Sequence, residues 1–157
     1  MLPKLKEFLD ANGVKYERIN HSQAFTSQEI AASAHIPGKE LAKTVMVRID
    51  GRMAMAILPA SHRVNVHQLQ EAVGAKRVEL ATEAEFRNLF SDCEPGAMPP
   101  FGNLWGLDVY VADALTEDEH ICFNSGSHTE LVKLAYRDFE HLVGPRVLHF
   151  AAMAVAF

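Results

Sequence analysis

Leu2, Leu5, Phe8 and Leu9 recur at helical spacing, and Gly13 stands where a left-handed cap would fall, so the pattern predicts an amphipathic helix over residues 3–12. Val14 to Asn20 then reads as a strand. Thr26 with Glu29 three positions on forms a capping box for a second short helix, ended before Pro37-Gly38. Lys43 to Ile49 and Arg52 to Leu58 are apolar-rich runs separated by Asp50-Gly51, a strong hairpin signal, with Lys43 opening the first strand. A helix is predicted from about Asn65 to Val73, stopped by Gly74, and another from Thr82, boxed with Glu85, to Phe90. Further strands are predicted at Leu107–Ala112, His120–Asn124, Glu130–Ala135 and Arg146–Ala151, with a helix at Arg137–Val143 before Gly144-Pro145.

Strands arriving mostly as hairpins, with helices between them, point to an α+β class. The expected architecture is a single domain over residues 1–157, a mixed and mostly antiparallel twisted sheet surrounded by short helices. No repeat, linker or low-complexity tract interrupts the chain, and no phosphate-binding glycine motif contradicts the class. At 157 residues, such a chain buries about 70% of its unfolded surface.

One segment departs from this alternation. Asp92-Cys93-Glu94-Pro95-Gly96-Ala97-Met98-Pro99-Pro100-Phe101-Gly102 holds three prolines and two glycines, which excludes helix and central strand and predicts a rigid, shaped loop. Proline donates no amide hydrogen, whereas glycine lets bare backbone approach a ligand, so the remaining N–H groups can be aimed at a carbonyl oxygen. Two other segments are read with it: Leu41-Ala42-Lys43-Thr44-Val45 and Asn124-Ser125-Gly126-Ser127-His128.

Charge and cysteine content narrow the chemistry. The formal net charge of −5 argues against gripping a long phosphate tract, and DNA is not an expected partner. Between Lys39 and Arg77, however, seven basic residues face three acidic ones, leaving room for a small basic patch. Cys93 and Cys122 form no paired motif, and the histidines show no metal-ligand spacing, so neither a metal nor another cofactor is expected. Asp92 and Glu94 beside Cys93 disfavour its thiolate. Charged residues punctuate the N-terminal apolar positions, unlike an export signal, and the expected location is cytoplasmic. The apolar Ala151–Phe157 is too short to span a bilayer and reads as a packing tail or subunit contact.

Lys43, at the end of an apolar strand, could bind a phosphate or carbonyl, or serve as a base if burial lowered its pKa; an ordinary surface lysine is the bland alternative. The run Asn124 to Glu130 is explained in large part by a tight turn. Adjacent serine and histidine side chains rarely point at each other and no orienting aspartate is evident, which favours substrate contact over covalent catalysis.

Together these segments resemble the YbaK/ProX family of aminoacyl-tRNA deacylases, which is also found as the editing insertion of bacterial prolyl-tRNA synthetases. The family's strand-borne lysine resembles Lys43, its Gly-x-x-x-Pro loop is similar to Gly96-Ala97-Met98-Pro99-Pro100, and its Gly-x-His turn looks like Gly126-Ser127-His128. The likeness spans roughly residues 10–150. It implies hydrolysis of the ester joining a wrong, small amino acid to a tRNA, with tRNA for proline first among the candidates. The need is physical, because a synthetase pocket separates substrates differing by one methylene by only ~1–3 kcal/mol. The resemblance also implies the parts: backbone amides around Gly96 stabilising the oxyanion, Lys43 anchoring the terminal nucleotide, and the substrate's own ribose hydroxyl activating water. His128 completes the catalytic set. Phe25, Thr26, Ile30, Thr44, Ala97, Met98, Pro100, Ser125, Gly126 and Ser127 are the implied substrate contacts. A synthetase is a candidate partner, and the expected form is a monomer or weak homodimer. A non-catalytic module that recognises a tRNA end or small ligand, and a serine or thiol hydrolase using Cys93, Ser125 or Ser127, are the competing readings.

Overall fold

Asp50 and Gly51 both take positive φ, +50° and +83°, the two-residue turn whose twist matches that of the strands it joins. Around that turn, β2 (Ala42–Ile49) and β3 (Arg52–Pro59) pair antiparallel in unbroken register, from Ala42 opposite Pro59 to Ile49 opposite Arg52. The Asp50 carboxylate caps the neighbouring strand's approach by accepting from the amides of Lys76 and Arg77 at 3.0 and 2.9 Å. The structure, a computed structural model, describes residues 1–20 and 40–153. The helix expected after Thr26 lies outside them.

Three sheets are present among the described residues. In the largest, β5 (Val78–Leu80), β2, β3, β6 (Asp108–Ala112) and β9 (Arg146–Leu148) lie side by side in that order, the β3–β6 and β6–β9 pairs being parallel. A second, antiparallel sheet is ordered β1 (Tyr16–Asn20), β8 (Glu130–Ala135), β7 (His120–Asn124). A third pairs β4 (His62–Val64) with β10 (Ala151–Met153). Helices α1 (Pro3–Ala11), α2 (Val66–Val73), α3 (Glu83–Phe86) and α4 (Tyr136–Val143) complete a mixed α+β fold with mostly antiparallel pairing. No described helix is long and apolar enough to cross a membrane.

Strand alternation assigns the two faces of β2. Ala42 and Met46 join Leu5 and Leu9 of α1, Phe123 of β7 and Phe139 of α4 in the main core. Val47 packs instead with Leu69 of α2 and Phe150, and Val45 and Ile49 border that second core. Where β2 begins, Leu41 bridges in parallel to Cys122 and packs with Leu131, tying the two larger sheets together.

Some predicted elements are shortened or divided. The helix expected from Thr82 to Phe90 is one α-helical turn continuing as a 3-10 turn at Arg87–Phe90. The strand expected over residues 146–151 splits, because the buried Phe150 leaves the five-stranded sheet and its carbonyl accepts from the Asn65 amide at 2.7 Å. Ala151–Met153 then pairs with β4, and residues 154–157 lie outside the described part. Strands β4 and β5, three residues each, carry too short a pattern to be read from the sequence.

Candidate functional site

Proline fixes its own φ near −65°, so Pro95 at the second position of a turn excludes the mirror-image turn types. Gly96 follows at φ +82° and the Ala97 amide donates to the Glu94 carbonyl at 3.0 Å. Glu94-Pro95-Gly96-Ala97 is therefore a type II turn, the geometry that asks for proline and then glycine. Gly96 is exposed at its tip, whereas Ala97 to Pro100 are buried beneath it.

The loop is laced to the turn between β7 and β8 by four hydrogen bonds. The Gly126 amide donates to the Ala97 carbonyl at 2.9 Å, and the Glu94 amide donates to the Gly126 carbonyl at 2.8 Å. The His128 amide donates to the Glu94 carboxylate at 3.0 Å, and the His128 ring Nε2 lies 2.6 Å from the Pro95 carbonyl oxygen. A carbonyl only accepts, so Nε2 carries the proton. Gly126, at φ +108°, fits against Leu2, whose Cβ would lie 3.3 Å from a side chain placed there. From the strand side, the Thr44 hydroxyl donates to the Met98 carbonyl at 3.1 Å. Thr44, the Gly96 loop and the Gly-Ser-His turn thus form one connected structure. The Gly96 amide itself donates no hydrogen bond to any described residue.

Lys43 leaves β2 on its other face. In the unbroken register of β2 its side chain leaves the face opposite Thr44, the face of Val45 and Val47. Burial, and then the charge of Arg63 on β4, hold its ammonium pKa below the ordinary lysine value. Arg63, which the sequence offered only as one of seven basic residues, is thus a second cation whose charge acts on Lys43. Phe25, Thr26 and Ile30, three of the implied substrate contacts, lie outside the described residues. Ala97 and Met98 are buried, Met98 within the main core. Ser127 is engaged locally, its hydroxyl 3.2 Å from that of Thr129.

Ser125 has a structural partner that the sequence did not disclose. Its hydroxyl, on a residue only 1% exposed, donates to a Glu130 carboxylate oxygen at 3.2 Å. Glu130 also receives the Met1 amino group at 2.7 Å and Arg18 at 2.9 Å. Burial by itself would raise the Glu130 carboxyl, but these hydrogen bonds and charges outweigh it and hold the pKa below the ordinary glutamate value. A depressed carboxylate contributes stability above its unfolded pKa and loses it as pH falls through the folded value. Glu130→Gln is expected to lower stability at neutral pH by about 1–3 kcal/mol and to flatten its decline in acid. Melting temperatures across the acid range check this, and coincident curves for the two proteins would show that the ion pair contributes nothing.

The arrangement also bears on covalent chemistry. His128 directs Nε2 to a backbone carbonyl, and Ser125 is committed to Glu130. Cys93 is pushed up to about 11 by burial and then by Asp92, and Cys122 to about 11, mainly by burial. Neither thiol supplies much nucleophile at neutral pH. No group of three or more potential metal ligands occurs among the described residues.

With this geometry in place, comparison with known proteins assigns the family. A family model for the aminoacyl-tRNA editing domain matches residues 21–142. A proline--tRNA ligase from Staphylococcus epidermidis is 36% identical over 133 residues, covering 78% of this chain and 23% of the ligase. Another, from Macrococcus caseolyticus, is 23% identical over 159 residues, covering 85% of this chain and 28% of the ligase. The chain therefore spans about a quarter of the length of these curated relatives. Among solved structures, hypothetical protein APE2540 superposes with a TM-score of 0.85 at 22% identity, covering 95% of this chain and 99% of the other. A protein proposed as a trans-editing enzyme for prolyl tRNA synthetase superposes with a TM-score of 0.80 at 18% identity, covering 95% of each chain. At these identities the structural likenesses establish the fold, and the sequence match over residues 21–142 establishes the family. The chain belongs to the aminoacyl-tRNA editing domain family.

Proposed function

We propose that this protein hydrolyses the ester joining a wrongly attached small amino acid to the 3′ end of a tRNA. Its relatives make tRNA for proline the first candidate. The observation that carries this reading is the exposed Gly96 amide, uncommitted among the described residues and held on a turn laced to its neighbours. Such a donor stabilises the oxyanion that forms when water adds to an ester carbonyl. The tetrahedral intermediate then collapses, the ribose oxygen leaves with a proton, and the products are a free amino acid and an uncharged tRNA. No enzyme-bound acyl group forms, in keeping with the engaged Ser125 hydroxyl and the protonated thiols. The neighbouring ribose hydroxyl of the substrate orients the attacking water.

Lys43 and Arg63 anchor the substrate at a distance from the ester, holding a phosphate of the terminal nucleotide between two cations. Because desolvation and Arg63 already disfavour the Lys43 charge, an incoming phosphate gains by restoring balance. Lys43→Ala is expected to lower kcat/KM by about 10–100-fold, the worth of a charge-assisted hydrogen bond, mainly through KM. It should also reduce the salt dependence of tRNA binding by roughly one phosphate contact. The depressed Lys43 pKa means that the ammonium is lost as pH rises, sooner than for an ordinary lysine. Activity should therefore decline on the alkaline side, and Lys43→Arg should move that decline to higher pH. An unchanged KM and salt dependence in Lys43→Ala would remove the anchoring role.

The deciding assay presents tRNAs carrying different small amino acids, alanine, serine, cysteine and threonine among them, with the acceptor sequence varied as well. Protein at amounts far below substrate should release amino acid repeatedly from at least one combination. Retention of the mischarged tRNA without any shortening of its half-life would instead establish a binding module.

A further inference from the structure

We propose that His128 is a positioning residue that locks the Pro95–Gly96 peptide in the one orientation that presents the Gly96 amide to substrate. The assignment rests on the deacylase reading for its catalytic consequence, and on geometry alone for the lock.

A type II turn differs from a type I turn chiefly in the orientation of its central peptide, and glycine at the third position tolerates both. Pro95–Gly96 is that central peptide. Left to itself, the turn can rotate this unit and send its amide to the opposite side. His128 opposes the rotation, because Nε2 donates to the Pro95 carbonyl at 2.6 Å. No cis bond occurs among the described residues, and in a trans peptide the carbonyl and the following N–H point in opposite directions. Holding the Pro95 oxygen toward the imidazole therefore aims the Gly96 hydrogen away from it, out of the turn. The histidine is itself held, since its own amide donates to the Glu94 carboxylate at 3.0 Å, and its ring Cε1 lies 3.6 Å from where a Gly96 side chain would begin. Bonds between Glu94, Gly126 and Ala97 fix the turn's two ends, leaving the central peptide as the element that the imidazole governs. In this role His128 neither accepts a proton from water nor needs to touch the amino acid.

The test uses the full chain, ¹⁵N-labelled, with His128→Gln, which keeps a donor of similar reach, and His128→Phe, which keeps bulk but donates nothing. In the wild type and His128→Gln, the Gly96 amide should give one sharp resonance at the same position, and kcat should be nearly equal. In His128→Phe that resonance should shift and broaden, and kcat should fall by about 10–100-fold with KM little changed, as expected for a misaimed group. His128→Ala serves the same purpose if the phenylalanine variant does not fold. An unaltered Gly96 resonance in the variants without a donor, or a glutamine variant as impaired as phenylalanine, would overturn the lock. If the wild type releases no amino acid from any tRNA, the deacylase reading fails and the Gly96 resonance still decides whether the lock exists.

Discussion

Gly96→Ala is expected to lower deacylation by about 10²-fold or more while the protein remains folded. Two features of the turn produce this expectation. First, φ at Gly96 is +82°, a conformation in which an L side chain costs roughly 1–2 kcal/mol. Second, the space itself is adequate, the nearest atom to an added Cβ being His128 Cε1 at 3.6 Å, an ordinary contact. The cost is therefore conformational, and rotating the Pro95–Gly96 peptide into a type I turn relieves it. That rotation sacrifices the His128 bond to the Pro95 carbonyl and turns the amide away from the site, and loss of one oxyanion donor is worth ~10²–10³ in rate. Single-turnover rates with a mischarged tRNA measure the effect, and a melting temperature within a few degrees of wild type shows that folding is not the cause. A variant hydrolysing at the wild-type rate would remove Gly96 from the reaction.

Much of this site was legible in the sequence because proline and glycine write backbone geometry directly. Pro95-Gly96 and Asp50-Gly51 each prescribe a turn with little help from the rest of the chain, and the strands at His120–Asn124 and Glu130–Ala135 have the predicted bounds. What the sequence could not express is which side-chain atoms spend their hydrogen bonds internally. Ser125 looked available as a substrate contact or nucleophile, yet its hydroxyl is committed to Glu130, which Arg18 reaches from a strand 112 positions away. Lys43 was readable as a strand-end lysine, but its face depends on the register of β2 against β3 and on which core each parity meets. Arg63 carried no signal of its own, because β4 pairs only with residues from the far end of the chain. The parallel pairing of β3 with β6 likewise joins segments some fifty residues apart, beyond the reach of any hairpin pattern.

Phe101→Ala is expected to cost about 3–5 kcal/mol of stability, more than the loss of the Glu130 charge, and to impair the site as well. Phe101 is fully buried, with its ring centroid 5.5 Å from those of Phe123 and Phe139 and 6.1 Å from that of Phe8. It thereby joins β7, α4 and α1 at the point where the proline loop ends. Gly102 beside it leaves no room for compensation, since a side chain there would begin 2.7 Å from Val109 and 3.2 Å from the Met55 sulfur. Removing the ring opens a cavity under the segment whose other end carries Gly96, so the loop loses the anchor that holds it against the Gly-Ser-His turn. Phe101→Leu, which keeps most of the volume, should lose less stability and retain more activity. Denaturant unfolding of both variants, with deacylation measured where each is still folded, separates the two roles of the ring. If the alanine variant, still folded, hydrolysed its substrate as fast as wild type, the loop would owe its shape to its prolines and its bonds to Gly126 and His128 alone, with no contribution from the aromatic anchor.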